Sequence, residues 1–283
     1  MKLPTWLAYA ALIAGRTDAH AERRRAEPPE RPAPERPAPA PSVPATPAPA
    51  PASAPIVMLD PGHGGSNAGA KSASRAKHAK RANSAAADSL TEKRLTLALA
   101  IRVADRLRAR GVDARLTRTD DQTLTLRRRV ELANRAPADL FVSLHANASV
   151  SHARRGFETY VLTAQGVDVD ARALRGDAAA PRPGVDPEIA LVLDDVERGA
   201  AQWDAAELAA RMQRALRARR GAAGDRGVRQ DAHHVLLGAT MPAVLVEVGF
   251  LDHPLEGKEL ADPRVQDQLA DAIAEAILDQ LAD

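Results

Sequence analysis

Cysteine is absent from the 283-residue chain, which excludes disulfides and thiolate metal sites alike. Any metal must therefore be held by histidine and carboxylate ligands. Aromatic residues make up only 2% of the sequence, so a core has to be built from Leu, Val, Ile and Ala. No interleaving of aromatic and basic residues, of the kind that stacks nucleobases, is present. A strong excess of one charge sign is also missing. Lys and Arg number 39 against 37 Asp and Glu, and the pI of 9.1 reports that small excess without implying nucleic acid as a partner. There is no HExxH, no GxSxG and no phosphate-binding loop. The length allows one large domain or two small ones.

What is present is organised around Ile56-Val57-Met58-Leu59-Asp60-Pro61-Gly62-His63-Gly64-Gly65. A β-branched apolar run ends in a Pro-Gly turn that carries one histidine. This predicts a buried strand whose exit loop permits close backbone approach, at the kind of strand end where α/β sheets bind ligands. Glycines on both sides leave the His63 imidazole unshielded, which suits either a metal ligand or a histidine hydrogen-bonded in a tight turn.

Upstream, Met1 to Ala21 reads as a secretory signal peptide. Lys2 supplies the positive start, Trp6 to Ala14 the apolar run, and Ala19-His20-Ala21 an A-x-A cleavage site. The run is too short to span a bilayer, so the mature form is expected to lack a transmembrane segment. Pro4 and Arg16-Thr17-Asp18 interrupt the pattern and leave an uncleaved anchor as the alternative. Residues 22–55 are rich in Pro, Ala, Arg and Glu and cannot bury a core; a disordered, extended tether is expected. The folded domain is expected over 56–283.

Within it, Lys71 to Ser89 has no hydrophobic period and reads as a long surface loop; its Lys71, Arg75, Lys77, Lys80 and Arg81 offer charge to an anionic polymer. Thr91 to Arg110 is a helix with Leu95, Leu99, Val103 and Leu107 on one face and Gly111 after its end. Thr91 is placed to cap it, and Glu92 falls in its first turn, where an acid serves the helix dipole. Val112 to Arg118 alternates as a strand, and Leu124 to Arg135 forms a second amphipathic helix. Leu140 to Leu144 is a buried strand that runs straight into His145-Ala146-Asn147, a second histidine at a strand end. Further strands are expected at Phe157–Leu162, His234–Leu237 and Ala243–Val248. Helices are expected at Glu188–Arg198, Ala205–Arg220 and Val265–Leu281. Alternating strands and helices imply an α/β sheet covered on both faces.

His63, His145 and Glu92 thus stand at strand ends or at a helix start. Two imidazoles and one carboxylate compose a catalytic zinc set with one position left for water. The bound metal then keeps positive charge, which activates water and polarises a carbonyl. A further carboxylate is needed to carry the proton to the leaving nitrogen. Glu247, inside Val244-Leu245-Val246-Glu247-Val248, is costly in so apolar a strand unless it has a task or an ion-pair partner. His78, His152, His233, His234 and His253 fall in loops or at strand edges and read as surface residues, with His233 or His234 able to line a cleft.

Four motifs carry a family resemblance: Leu59 through Gly65, Thr91-Glu92-Lys93, Ser143 through Asn147, and Pro242 through Leu251. In this order they resemble the zinc-dependent N-acetylmuramoyl-L-alanine amidases of cell-wall remodelling and daughter-cell separation. Arg118-Thr119-Asp120, and Arg128 through Asn134 ahead of Ala138 to Phe141, fit the same pattern. The resemblance implies one domain with a mixed, about six-stranded sheet, Zn2+ on His63, Glu92 and His145, and Glu247 as the catalytic carboxylate. It implies a peptidoglycan substrate cut between N-acetylmuramic acid and L-alanine, in the periplasm or the cell wall. Two readings stand beside it: a zinc peptidase cutting within the stem peptide, and a non-catalytic peptidoglycan-binding protein. The sequence departs from the family at Asn67-Ala68-Gly69-Ala70, where Asp-Pro-Gly-Ala is usual. The long gap before Glu92 makes Asp88 a rival third ligand. Residues 166–205 resemble a regulatory insert that lays a glutamate over the zinc until a protein activator removes it, with Glu188 or Glu197 as the occluding group.

Overall fold

The β-branched run at Ile56 forms the strand β1 (Ile56–Pro61) near the middle of a six-stranded sheet. The fold is seen in a computed structural model that describes residues 53–72, 89–163, 184–185, 187–233 and 235–283. After β1 come α1 (Glu92–Arg108), β2 (Asp113–Leu116), α2 (Leu126–Arg135), β3 (Leu140–Asn147) and β4 (Phe157–Leu162). A long helix α3 (Pro187–Arg220) leads through a short 3-10 turn to β5 (Asp225–Asp231), β6 (Ala243–Phe250), α4 (Glu256–Leu260) and α5 (Pro263–Leu281). The expected signal peptide, the tether, most of the 71–89 loop with Asp88 and His78, and His234 lie outside the described residues.

The strand order is β2-β1-β3-β6-β4-β5. Strands β2, β1, β3 and β6 run parallel, whereas β4 pairs antiparallel with β6 and parallel with β5. The sheet is therefore mixed and six-stranded, as the motifs imply. Alternate residues of each strand feed two cores. On one face Leu59, Leu144, Val244 and Val246 pack against Leu95, Leu99, Val103 and Leu107 of α1, Leu208, Met212 and Leu216 of α3, and Leu269, Ile273 and Ile277 of α5. On the other, Met58, Phe141 and Leu245 meet Ala133 of α2 and Val235, Leu236 and Met241 from the segment before β6. Each buried Leu or Ile contributes about 1.5–3 kcal/mol, which lets a chain nearly free of aromatics build this core. Among the described residues no helix is long and apolar enough to cross a membrane.

Two expected elements differ. The helices expected at Glu188–Arg198 and Ala205–Arg220 are one, because Gly199 costs a helix interior only about 1 kcal/mol and α3 anchors its C-terminal half on the sheet through Leu208, Met212 and Leu216. The strand expected at His234–Leu237 is a turn over its described residues, and the sixth strand is instead β5. Strand β5 is an exposed edge whose Asp-Arg-Gly-Val-Arg-Gln-Asp lacks the apolar alternation by which strands are read.

Candidate metal centre

His63, Glu92 and His145, far apart in sequence, converge: one possible ligand atom from each lies within 4.8 Å of the other two. Among the described residues this is the only group of three or more histidine, aspartate and glutamate side chains that meets this criterion. Glu92 opens α1, and its Oε1 lies 3.0 Å from His63 Nε2 and 2.9 Å from His145 Nδ1. The same oxygen accepts the Ala146 N–H at 3.0 Å, while Oε2 accepts that of Ala70 at 2.8 Å. Burial alone would raise this carboxyl, yet the bonds from His145 and His63 hold it far below the usual carboxylate range.

Thr91, expected to cap α1 with its hydroxyl, makes no side-chain cap bond. The orphan amides at the helix start are met by backbone instead: Glu92 N donates to Ala70 O at 2.8 Å and Lys93 N to Ala68 O at 3.2 Å. That docking lays the 68–70 segment over Glu92 and fixes the carboxylate where the histidines meet. It also requires Gly69, whose φ is +63° and where a Cβ would collide with Glu92 Oε2.

His63 itself sits at φ +60°, followed by Gly64 at +130° and Gly65 at +56°. A non-glycine residue in this region stores about 1–3 kcal/mol of strain and persists only where its surroundings over-determine it. Here two buried arginines do so. Arg129 donates to Asp60 Oδ1 (2.7 Å), Pro61 O (2.8 Å) and His63 O (2.6 Å), and Arg118 to Pro61 O (3.0 Å) and Gly62 O (2.9 Å). Asp60, wholly buried, accepts in addition from Thr117 at 2.5 Å and Ser143 at 2.8 Å. Breaking such a buried pair by removing one partner costs about 3–5 kcal/mol, so the loop is held as firmly as the core. Gly62 completes it, because a Cβ there would enter the His145 ring.

Asn67 Oδ1 accepts from Gly69 N at 3.1 Å and lies 3.0 Å from His63 Nδ1. A bound metal would displace the proton that His63 Nε2 shares with Glu92; with the Nδ1 proton on Asn67, the Nε2 lone pair would then face the centre, the tautomer that a metal ligand requires. Neutral imidazoles, a buried carboxylate and a partner that orients a ring compose a donor set that fits zinc and offers nothing to a softer, thiolate-seeking ion.

Glu247 pairs across the sheet with His145 on β3 and with Glu158 on β4, so the three side chains share one face in a row. Its Oε2 is buried without a hydrogen-bond partner. Burial pushes the carboxyl well above the ordinary glutamate value, and the negative charges of Glu92 and Glu158 add to the effect. No cation pairs with it among the contacts of the described residues, so the ion-pair explanation for a charge in this strand is not the one the fold supplies. A half-buried glutamate with one buried, unpartnered oxygen beside a metal-ligand set has the properties of a proton carrier for hydrolysis.

Residues 57–279 match the family model of the N-acetylmuramoyl-L-alanine amidases. The chain belongs to this family. It is 31% identical over 231 residues to N-acetylmuramoyl-L-alanine amidase AmiA of Escherichia coli, covering 79% of this chain and 75% of that protein. Among solved structures, the catalytic domain of the amidase CwlV from Bacillus (Paenibacillus) polymyxa superposes with a TM-score of 0.57 at 30% identity, over 81% of this chain and 98% of that one. The amidase AmiC2 of Nostoc punctiforme gives 0.58 at 28% identity, again over 81% and 98%. The amidase fold accordingly brings all four residues singled out in the sequence to one end of the sheet.

Other histidines serve locally. His152 Nδ1 lies 2.7 Å from Asp252, and His253 Nδ1 accepts from Leu255 N and Glu256 N. His233 packs edge-on against Tyr160 with ring centroids 4.5 Å apart, beside the Glu158 end of the row. Sequence reasoning missed Glu158, which is buried and bonded by Asn147 (2.9 Å), Tyr160 (3.1 Å), Arg226 (2.9 Å) and Arg229 (2.6 Å). The signal was available in principle. Glu158 and Tyr160 alternate with the apolar Phe157 and Val161, which marks them as sharing a face with a polar site.

Proposed function

We propose that this amidase is an exported enzyme that hydrolyses the amide between the lactyl carboxyl of N-acetylmuramic acid and the amino group of L-alanine in peptidoglycan, in wall remodelling or cell separation. The observation that carries the reading is Glu247, unpartnered at Oε2 and in cross-strand register with His145 of the three-residue cluster. His63, Glu92 and His145 would hold Zn2+, which when bound supplies a Lewis acid for the amide carbonyl and lowers the pKa of water toward neutrality. Glu247 would take the proton from the attacking water and deliver it to the nitrogen of the departing alanine. Asn67 would hold the His63 ring, and Arg129 and Arg118 the loop that presents it.

The peptidase reading uses the same groups on a different amide, and the products separate the two. Zinc-loaded full-length chain incubated with purified peptidoglycan is expected to release free stem peptides and leave peptide-free glycan, read by mass spectrometry. Shortened peptides still attached to muramic acid would refute the assignment in favour of a peptidase. A protein that binds peptidoglycan without cutting it would release neither.

Export, expected from residues 1–21 and the 22–55 tether, suits a substrate outside the cytoplasm. We also infer that 166–205 is regulatory and that a protein activator acts on it. Glu197 is exposed on α3, and the side chain of Glu188 lies outside the described residues. The support is a stripe of exposed apolar residues at helical spacing, Ile189, Leu193, Val196 and Trp203, the last 80% exposed. Deleting 186–198 is expected to raise the basal rate of peptide release. An unchanged or lower rate from a folded deletion variant would rule autoinhibition out.

A further inference from the structure

The row of side chains that crosses the sheet does not stop at Glu247. It continues to Glu158 on β4 and then to Arg226 and Arg229 of the edge strand β5. Glu158 is a single carboxylate taken by two guanidiniums, and each reaches it through Nε at the same oxygen, Oε2. Its other oxygen is filled by Asn147 and Tyr160. Tyr160 is pushed up to about 12, first by burial and then by Glu158, so it stays a donor and adds no charge. Among Glu158, Tyr160, Arg226 and Arg229, one positive charge is thus left in excess.

Arg226 lies over the Phe250 ring at 5.2 Å and its side chain is only 26% exposed. Arg229 is 45% exposed, and no contact of its terminal nitrogens is recorded among the described residues. Bonding through Nε leaves the outer edge of a guanidinium, two parallel N–H groups, turned away from Glu158. That edge matches a carboxylate. The nearest acid along β5 on the same face, Asp231, is engaged with Ala232 N at 2.7 Å and lies 3.9 Å from His233.

We propose that Arg229, backed by Glu158 and Arg226, is a specificity subsite for the free α-carboxylate of the second stem-peptide residue, a D-glutamate joined through its γ-carboxyl. The inference rests on the amidase reading, which fixes polarity. The acyl side of the scissile bond belongs at the His63–Glu92–His145 end of the row and the departing amine at Glu247. The peptide therefore continues past Glu247 toward β4 and β5. Arg229 pairs with Tyr160, which stands opposite Leu245, so it lies two strand spacings across and two residues along from Glu247, about 12 Å. From the scissile nitrogen to the second residue's α-carboxylate is about 6 Å along the chain. Hydrogen-bond reach at each end, about 3 Å, closes the remaining distance. A carboxylate on the third residue would lie beyond the arginine.

The test uses the zinc-loaded full chain and two synthetic glycans, one bearing L-alanyl-D-isoglutamate and the other L-alanyl-D-isoglutamine. They differ only in a carboxylate against an amide. Wild type is expected to show kcat/KM about tenfold or more higher for the carboxylate, carried by KM. Arg229→Gln is expected to bring the ratio to about one, and Arg229→Lys to restore part of it. A wild-type ratio of one, or a ratio that persists in Arg229→Gln, overturns the subsite. Calorimetric titration with the two free dipeptides gives a readout that needs no turnover. If neither glycan is cut, even after deletion of 186–198, the amidase reading fails, and tighter binding of the isoglutamate dipeptide, lost in Arg229→Gln, sustains the carboxylate site alone. Equal binding of the two dipeptides overturns it.

Discussion

Replacing Glu247 by glutamine is expected to lower kcat for peptide release by roughly 10²–10⁴-fold, the usual contribution of a positioned acid–base group, with zinc content unchanged. The amide keeps the shape of the carboxylate and fits the same space on β6, but it can neither accept the proton from water nor return it to the leaving nitrogen. Product analysis on peptidoglycan, paired with metal analysis of the purified variant, checks both halves. A rate within a few fold of wild type would remove Glu247 from the chemistry. Stability separates this role from a structural one. Burial, with Glu92 and Glu158 nearby, raises the carboxyl above its ordinary value of 4.5. A folded-state pKa above the unfolded one means that folding favours the neutral form, and stability is lost as pH rises through the folded pKa. In metal-free protein, then, Glu247→Gln should melt at a higher temperature than wild type at pH 8, and the gap should close as pH falls toward 4. A residue kept for packing or ion pairing would show the reverse.

That conflict between stability and charge is what made the centre readable in the sequence. Strands β1 and β3 are apolar runs that lead into His63 and His145, β6 is one interrupted by Glu247, and a polar group there demands an explanation that a surface histidine such as His253 does not. Helices α1 and α5 announce themselves by apolar period. The parts that stayed hidden are those whose chemistry depends on tertiary neighbours. Arg127, Arg128 and Arg129 are indistinguishable in sequence, yet the Arg127 side chain is 79% exposed and that of Arg129 only 3%. Only the register of α2 against β1 decides which of them meets Asp60. Strand β5 was hidden for the opposite reason. As an exposed edge it needs no apolar alternation, and it owes its pairing to β4. Its arginines look like surface charge until Glu158 is found beneath them. The continuity of α3 was lost to Gly199, which reads as a helix end in the sequence.

Glu92 carries the largest effect on the metal. Glu92→Gln is expected to weaken zinc binding by about 100-fold or more, beyond the 10–100-fold typical of residues that only orient ligands, and peptide release should fall below detection at trace zinc. Chelator competition followed by metal analysis measures the first, and product analysis the second. Asp88→Asn is the matched control for the rival carboxylate: retained zinc in Asp88→Asn with loss in Glu92→Gln assigns the third ligand, and the opposite pattern reassigns it. The metal-free variants provide an independent sign. Burial works against the Glu92 charge, but the bonds and charges of His145 and His63 outweigh it and hold the carboxyl far below its ordinary value. A depressed folded-state pKa contributes stability above the unfolded pKa of about 4.3 that is lost as pH falls further. Without metal, Glu92→Gln should therefore destabilise the fold at pH 7, where Glu247→Gln stabilises it. The two glutamates stand on the same cleft, and the fold holds one charged through its partners while it leaves the other without any. Opposite melting shifts from the two substitutions would show that ligand and proton carrier are distinguished by their surroundings before any zinc arrives; shifts of the same sign would refute that division of labour.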